Sequence, residues 1–501
     1  MDTIKALNNV KKNFEKRRSD YKYSQKLDEF EMLLNENEDL DDQQACMILY
    51  GNKNITPAYK SLKYRMEEKL MNDLFSICAI EEDLSSSIMS PLQLEKISLV
   101  SMLLLKSHYR KESMFLFEKV LKLSKKLYIP DMAIKQLTAL LNHYGFVEPD
   151  KTRMMKILKE MDYYAEMYTG ELYVRKANAI ISHMYVMNKG GLSQKQLKTI
   201  KELVTETLKI KEKFKTNMIV ASANDLSFFY YQTIGDFERG LEIATNSLSE
   251  ISAFSTQEVY GIYQSKKNIA IANFFLKKYS ESTKWFEEVF NMITLGTRNW
   301  FNVTGLYYLN LINAREYEKL YILSYNVLTN KNLKKFPIFE EQWHLREAYL
   351  HFLVRMEKID QKVLTERPLK PFSLNKFINS VPFHSKDKSG QNITILVIQI
   401  LFLLLDNKYN KIIDKIDTLT QYTYRYLNKD DTFRSNCFIK MLLQMVKADL
   451  HPIRTKTYTE SLSKKLENSH LIIDERSAQV EIIPYDFLWE MIIELLEIKN
   501  K

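Results

Sequence analysis

The sequence contains little glycine, proline or cysteine for its length. Its 501 residues include 11 Gly, 10 Pro and 3 Cys. A β-sandwich or barrel of this size needs many turns built on glycine and proline, so their scarcity excludes those folds. Three cysteines cannot form a disulfide framework, which favours a reducing compartment. The residues that are present include 26 Phe and 30 Tyr, with 45% hydrophobic residues in all, and this excludes a disordered polymer.

Long apolar runs and a strong excess of one charge are also missing. The most apolar stretch, residues 393–405, is about 13 residues long, whereas a membrane-spanning helix needs about 20. Residues 1–18 are charged and amphipathic and lack the apolar centre of a secretory signal. The net charge of +9 is too mild for a dedicated nucleic-acid-binding domain. We therefore expect a cytoplasmic protein with no membrane insertion.

Apolar residues recur three and four positions apart along the whole chain, which is the period of an amphipathic helix. Isolated glycines and prolines separate the periodic segments. Between Asp150 and Phe336 there is no proline, as uninterrupted helical hairpins require. The pattern predicts an all-α fold, an α-solenoid of antiparallel helical hairpins with a small N-terminal helical module.

Composition divides the chain into four segments. We expect an N-terminal helical module at residues 1–85, a solenoid at 86–366, an irregular connection at 367–390, and C-terminal hairpins with a terminal docking helix at 391–501. The connection is predicted from clustered prolines together with basic and small polar residues. The terminal helix follows Pro484 and carries a dense apolar face.

A recurring unit is visible in the periodic part of the chain. Each unit has an apolar helix, a polar tight turn, an aromatic residue and, three positions later, a small or apolar residue. The turn aromatics are Phe237, Tyr279, Tyr317 and Tyr409.

These units resemble the tetratricopeptide repeat. The turn aromatic matches the family's packing residue at the start of the second helix, and Gly240 and Ser282 match its small position. The intervals of about 42 and about 38 residues between units exceed the family's 34. The resemblance implies a concave groove lined by the first helix of each hairpin. The residues carried over to that groove are Ser222, Asp225, Gln232, Gln264, Lys267, Asn268, Asn302 and Asn313.

Amide and charged groups of this kind suit the main chain or terminus of an extended peptide. The alternative is that they only keep the groove solvated.

Motifs for catalysis and metal binding are scarce. The chain has no glycine-rich phosphate loop, nucleophile elbow or His-Glu-x-x-His sequence, so we expect no catalytic residue, cofactor or metal. His344, Glu347 and His351 share a helix face, but the two histidines lie about 10 Å apart along the helix, too far for one ion. We interpret them as a polar patch. The acidic run at residues 36–42 lacks the glycine and closing glutamate of a calcium loop and is interpreted as a helix cap.

The N-terminal segment allows two interpretations. A short helix ended by Gly51, followed by a basic helix that begins near Pro57, loosely resembles a helix-turn-helix. Its nucleic-acid contacts would be Tyr59, Lys60, Lys63 and Arg65. The other interpretation is a capping bundle that covers the first hydrophobic edge of the solenoid.

Three functions follow from these patterns. The leading expectation is a non-enzymatic scaffold or adaptor that binds a protein or peptide in the groove. The alternative is a peptide-sensing regulator whose N-terminal module binds DNA or a signalling protein, which is an analogy at the level of fold. An unrecognised enzyme is the third possibility.

Overall fold

The computed structural model describes residues 25–37, 40–78, 91–187, 192–254, 259–380, 388–426, 433–469 and 481–499. Within these ranges the chain forms 22 α-helices, a π-helical turn and a 3-10 helix, and no strand. The predicted all-α, solenoid-type fold is confirmed, because consecutive helices pack on their neighbours in sequence. The amphipathic residues 1–18 and two residues of the acidic run lie outside the described residues.

The chain divides into two compact units, Met1–Leu172 and Tyr173–Lys501. This division falls inside the segment predicted as one solenoid, and helix α7 runs through it. The helices that begin in the first unit are α1 (Gln25–Glu36), α2 (Asp42–Tyr50), α3 (Pro57–Cys78), α4 (Pro91–Lys106), α5 (Arg110–Lys126), α6 (Pro130–Asn142) and α7 (Lys151–Met187), with the π-helical turn His143–Val147 between α6 and α7.

The second unit holds the remaining helices. They are α8 (Gln194–Lys213), α9 (Asn217–Ile234), α10 (Phe237–Ser252), α11 (Val259–Phe275), α12 (Tyr279–Phe290), α13 (Arg298–Asn313), α14 (Tyr317–Leu328), α15 (Pro337–Arg355), α16 (Gln361–Glu366), α17 (Leu374–Ser380), α18 (Lys388–Leu405), α19 (Tyr409–Tyr426), α20 (Phe433–Lys447), α21 (Pro452–Glu467) and α22 (Tyr485–Lys499).

Helices α1 to α3 pack on one another around a small core of their own. Gly51 adopts the left-handed conformation (φ 67°) that ends α2, where a residue with a Cβ would be strained. At the start of α3, the backbone N–H of Tyr59 donates to Thr56 Oγ1 at 3.1 Å. The core is formed by Leu27, Phe30, Ala45, Cys46, Tyr59, Leu62 and Met66.

The hairpin turns of the second unit share one backbone geometry. After the first helix, one residue adopts a positive φ, and the next backbone N–H donates to the carbonyl five residues earlier, as in a Schellman motif. Only one of these positions is a glycine, although the conformation costs other residues about 1–2 kcal/mol. We call these positions the left-handed turn residues, and they are Gly235, Lys277, Arg315, Glu357, Asn407 and Asp449.

The turn aromatics begin the second helix of their hairpins. Phe237, Tyr279, Tyr317 and Tyr409 are the first residues of α10, α12, α14 and α19. The Phe237 ring stacks on Phe275 at the end of α11, with centroids 4.2 Å apart and planes 4° apart. This contact joins one hairpin to the next, and the stacked rings add to the apolar area that each hairpin buries.

The small residues of the repeat lie where the two helices of a hairpin touch. Ser282 Oγ donates to the carbonyl of Ala270 at 2.8 Å, and Ser113 Oγ donates in the same way to Ser101 at 2.7 Å. A Cβ on Gly240 would lie 3.4 Å from the Phe228 ring. In all three hairpins, close approach of the backbones leaves room only for a small side chain.

One apolar core runs from α9 to α22 in the second unit. Helix α15 packs on α18, and α22 packs on α18, α20 and α21. The segment predicted as an irregular connection contains the seven-residue helix α17 and the first turn of α18, and residues 381–387 lie outside the described part. None of the described helices combines the length and apolarity needed to cross a bilayer.

Candidate functional site

A row of side chains recurs on the first helix of four consecutive hairpins, α9, α11, α13 and α15. In each helix, the row contains the residues ten and thirteen positions before the left-handed turn residue of that hairpin. These two residues are three positions apart and therefore lie on one face of the helix. The sequence predicted five of the eight members of this first-helix row. The complete row is Ser222 and Asp225, Gln264 and Lys267, Asn302 and Gly305, and His344 and Glu347.

Hydrogen bonds join four of the predicted groove residues into one cluster between α9 and α11. Asp225 Oδ1 accepts from Asn268 Nδ2 at 2.8 Å, and its Oδ2 accepts from Gln264 Nε2 at 3.4 Å. Lys267 Nζ donates to Gln264 Oε1 at 2.8 Å. The cluster therefore balances one carboxylate and one ammonium through two amides, and it holds neighbouring first helices in register.

Partial burial shapes the electrostatics of this cluster. Burial lowers the pKa of Lys267, against the attraction of Asp225, since a desolvated ammonium is disfavoured. The Lys267 ammonium lies 5.7 Å from the centroid of the Tyr263 ring. Burial first, and then the charges of Tyr260 and Asp225, raise the pKa of Tyr263 to about 12, so its hydroxyl stays a donor at neutral pH.

The other four predicted groove residues are not joined to this cluster by a described hydrogen bond. Asn302 is exposed and Gln232 is half-buried. Ser222 Oγ contacts Met218 Sδ at 3.7 Å, and Asn313 Nδ2 donates to the carbonyl of Leu309 on its own helix at 2.7 Å. The structure thus brings half of the predicted set together and leaves the other half as separate polar groups.

Side-chain caps determine where two of these helices begin. Thr216 precedes α9 and accepts from the backbone N–H of Ile219 at 3.1 Å, while Thr297 precedes α13 and accepts from Trp300 at 3.3 Å. The caps at one end and the Schellman turns at the other fix the rotation and length of each first helix.

Sequence reasoning missed His344 and Glu347 as members of the row. It treated them as an isolated patch, although their three-residue spacing equals that of Gln264 and Lys267. His344 Nδ1 lies 3.2 Å from Glu347 Oε2, and this hydrogen bond raises the pKa of His344 despite burial. Burial lowers the pKa of His351, whose ring stacks on Phe372 with centroids 5.1 Å apart. Nowhere in the described ranges do three His, Cys, Asp or Glu side chains form a metal-binding group.

The predicted nucleic-acid contacts in the N-terminal module do not share one surface. Tyr59 is 2% exposed, and its hydroxyl donates to Asp42 at 2.9 Å, so its ring belongs to the core. Lys63 forms an ion pair with the same carboxylate at 2.8 Å. Lys60 and Arg65 are exposed. This arrangement removes the predicted aromatic contact, because a buried ring cannot reach a phosphate backbone or a base.

Comparison with protein-family models gave no match for this chain. Comparison with curated proteins gave no match either.

Proposed function

We propose that the second unit binds an extended peptide or protein segment along the first-helix row, and that the protein acts as a non-enzymatic scaffold or adaptor. In this proposal, the hairpins from α9 to α14 are divergent tetratricopeptide-like repeats. The observation that carries the proposal is the polar cluster of Asp225, Gln264, Lys267 and Asn268, which joins equivalent positions of two adjacent first helices.

The chemistry of the row fits a peptide main chain. A peptide in extended conformation presents alternating N–H and C=O groups, which amide side chains can match as both donors and acceptors. Asn302 offers an exposed amide, and Lys267 offers an ammonium for a carbonyl or carboxylate. Because hydrogen bonds within the cluster fix Gln264 and Asn268, their amides lose little conformational entropy when a ligand binds.

Selection of peptides from a display library on the full-length chain tests the proposal. Asn302→Ala removes an exposed amide of the row and is expected to weaken the selected peptides about 2- to 10-fold, the range for one net hydrogen bond. The matched control is Asn246→Ala, an equally exposed asparagine on α10, a second helix, and it should leave the affinity unchanged.

The two variants distinguish binding along the first-helix row from binding elsewhere on the protein. Binding that falls equally with both variants, or with neither, contradicts recognition by the first-helix row. A library that yields no peptide at all contradicts the proposed function.

A further inference from the structure

Arg346 on α15 is a buried cation without a carboxylate partner among the described residues. Its side chain is 6% exposed, and burial lowers its pKa to about 10, so it is still charged at neutral pH. Among the described residues, the Tyr308 hydroxyl is the group whose charge interaction acts on this pKa. Glu341 on the same helix is also buried, but no ion pair in the described part of the chain joins it to Arg346. A buried charge left in this state is costly unless something pairs with it.

The polar groups of the two aromatic side chains beside Arg346 also lack partners among the described residues. Its guanidinium lies 5.3 Å from the Tyr308 ring centroid and 5.0 Å from that of Trp343, and the two rings meet edge to face at 5.7 Å. The buried Arg346 Nη1, Tyr308 hydroxyl and Trp343 Nε1 have no hydrogen-bond partner within the described residues. The guanidinium and the indole N–H can only donate and the Tyr308 hydroxyl can donate as well, so the cluster calls for an acceptor, and a carboxylate offers about four acceptor sites.

Gly305 opens this cluster toward the first-helix row. It occupies, on α13, the position that Asp225 occupies on α9 and Lys267 on α11. A Cβ on Gly305 would lie 3.6 Å from Arg346 Nη2. Between α9 and α11, the carboxylate of Asp225 bonds to the next first helix, whereas between α13 and α15 the chain supplies no side chain at that position.

We infer that Arg346, reached over Gly305, binds an acidic side chain of the partner, so that the partner's carboxylate takes the place that Asp225 fills one pair of helices earlier. This inference rests on the proposed function and specifies it, because the segment in the groove must carry an Asp or Glu opposite Gly305.

The first test needs no ligand. Arg346→Met is expected to raise the unfolding midpoint of the full chain by about 2 °C, because it replaces an uncompensated buried charge with an apolar side chain of similar length. A lower midpoint would mean that the guanidinium is needed by the fold itself, which overturns the inference.

A second pair of variants supplies the missing carboxylate within the chain. Gly305→Asp should raise the unfolding midpoint above that of Gly305→Asn, which has the same shape and no charge. Acetate, compared with chloride at equal ionic strength, should stabilise the wild-type chain and should not stabilise Gly305→Asp or Arg346→Met. Equal midpoints for the two Gly305 variants, or equal acetate effects in all chains, overturn the inference.

The third test uses the peptides selected from the display library on the full-length chain. Replacing one acidic residue of a peptide by its amide should weaken binding to the wild type about 10- to 100-fold, and should have no effect on binding to Arg346→Met. Peptides that need Asn302 but contain no such acidic residue overturn this inference and leave the proposed function standing. If no peptide is selected, the proposed function fails, while the acetate and Gly305 measurements still decide whether Arg346 binds a carboxylate.

Discussion

Arg434 on α20, in the C-terminal part of the second unit, is partly buried and has a full set of partners. Its side chain is 13% exposed, and its Nε and Nη2 donate to Glu481, which is 6% exposed. Nη2 also donates to Asp486 at 3.1 Å, and Nη1 donates to the backbone carbonyls of Leu466 at 2.8 Å and Ser469 at 3.0 Å. The guanidinium thus connects α20 with the end of α21 and the segment before α22.

Arg434→Met is therefore expected to destabilise the second unit by about 3–5 kcal/mol. Without the guanidinium, the Glu481 carboxylate keeps one described donor, the backbone N–H of Tyr485 at 2.7 Å, and the carbonyls of Leu466 and Ser469 each lose one donor. Leaving one charge of a buried pair unpartnered costs more than the pair itself contributes. The double variant, Arg434→Met with Glu481→Leu, removes both charges and should consequently lose less unfolding free energy than Arg434→Met alone.

Hydrogen exchange of the α22 amides, followed by mass spectrometry of residues 485–499, measures the effect where these contacts act. The control is Arg454→Met on α21, since Arg454 is exposed and pairs with the exposed Asp449. This control should cost less than about 1 kcal/mol. The reasoning is refuted if Arg434→Met costs no more than Arg454→Met, or if the double variant costs the sum of its two single changes.

Three further predictions concern the turns, the histidines and the hairpin contact. In urea unfolding, Lys277→Gly should stabilise the chain by about 1 kcal/mol and Gly235→Ala should destabilise it by a similar amount, because both positions have a positive φ. A destabilising Lys277→Gly or a stabilising Gly235→Ala would contradict the strain argument. In NMR, His344 should titrate above the usual histidine pKa of 6.5 and His351 below it. The stabilisation from His344 is therefore complete at low pH and lost as pH rises through its raised folded pKa, whereas the stabilisation from His351 is lost as pH falls below about 6.5. Identical titration curves for the two histidines would count against this assignment. Gly240→Leu should lower the unfolding free energy by about 1–3 kcal/mol, because the added atoms meet an aromatic ring already 3.4 Å from an ideal Cβ; a neutral result would mean that the hairpin opens easily.

The fold could be predicted from local patterns because each pattern has a local physical cause. Few glycines and prolines and a period of 3.6 residues require helices, and an aromatic residue three positions before Gly240 or Ser282 marks the start of a second helix. The break between the two units was not visible in the same way. Gly170 lies two residues before the boundary, but helix α7 continues through both Gly170 and Leu172, so this glycine does not mark a break in the secondary structure.

The candidate site was only partly predictable. Asp225, Gln264, Lys267 and Asn268 were predicted because the resemblance to the tetratricopeptide repeat assigns them to the groove side of the first helices, and the structure brings these four together. Tyr59 was misplaced because a basic helix shows its charges in the sequence but not which of its faces packs on α1 and α2. Gly305 and Arg346 gave no signal, because an absent side chain and a lone arginine acquire meaning only from their neighbours in space.

The sequence by itself determined the helical class, the hairpin turns and the residues that begin the second helices, since these depend on contacts within a few residues along the chain. The tertiary structure decided which polar side chains meet, because the distances between α9 and α11 or between α13 and α15 depend on how whole hairpins pack. It also distinguished two arginines, one buried and one partly buried, that look alike in the sequence. Arg434 donates to two carboxylates and two backbone carbonyls, whereas Arg346 Nη1 has no hydrogen-bond partner among the described residues, and this difference underlies the carboxylate site that we propose.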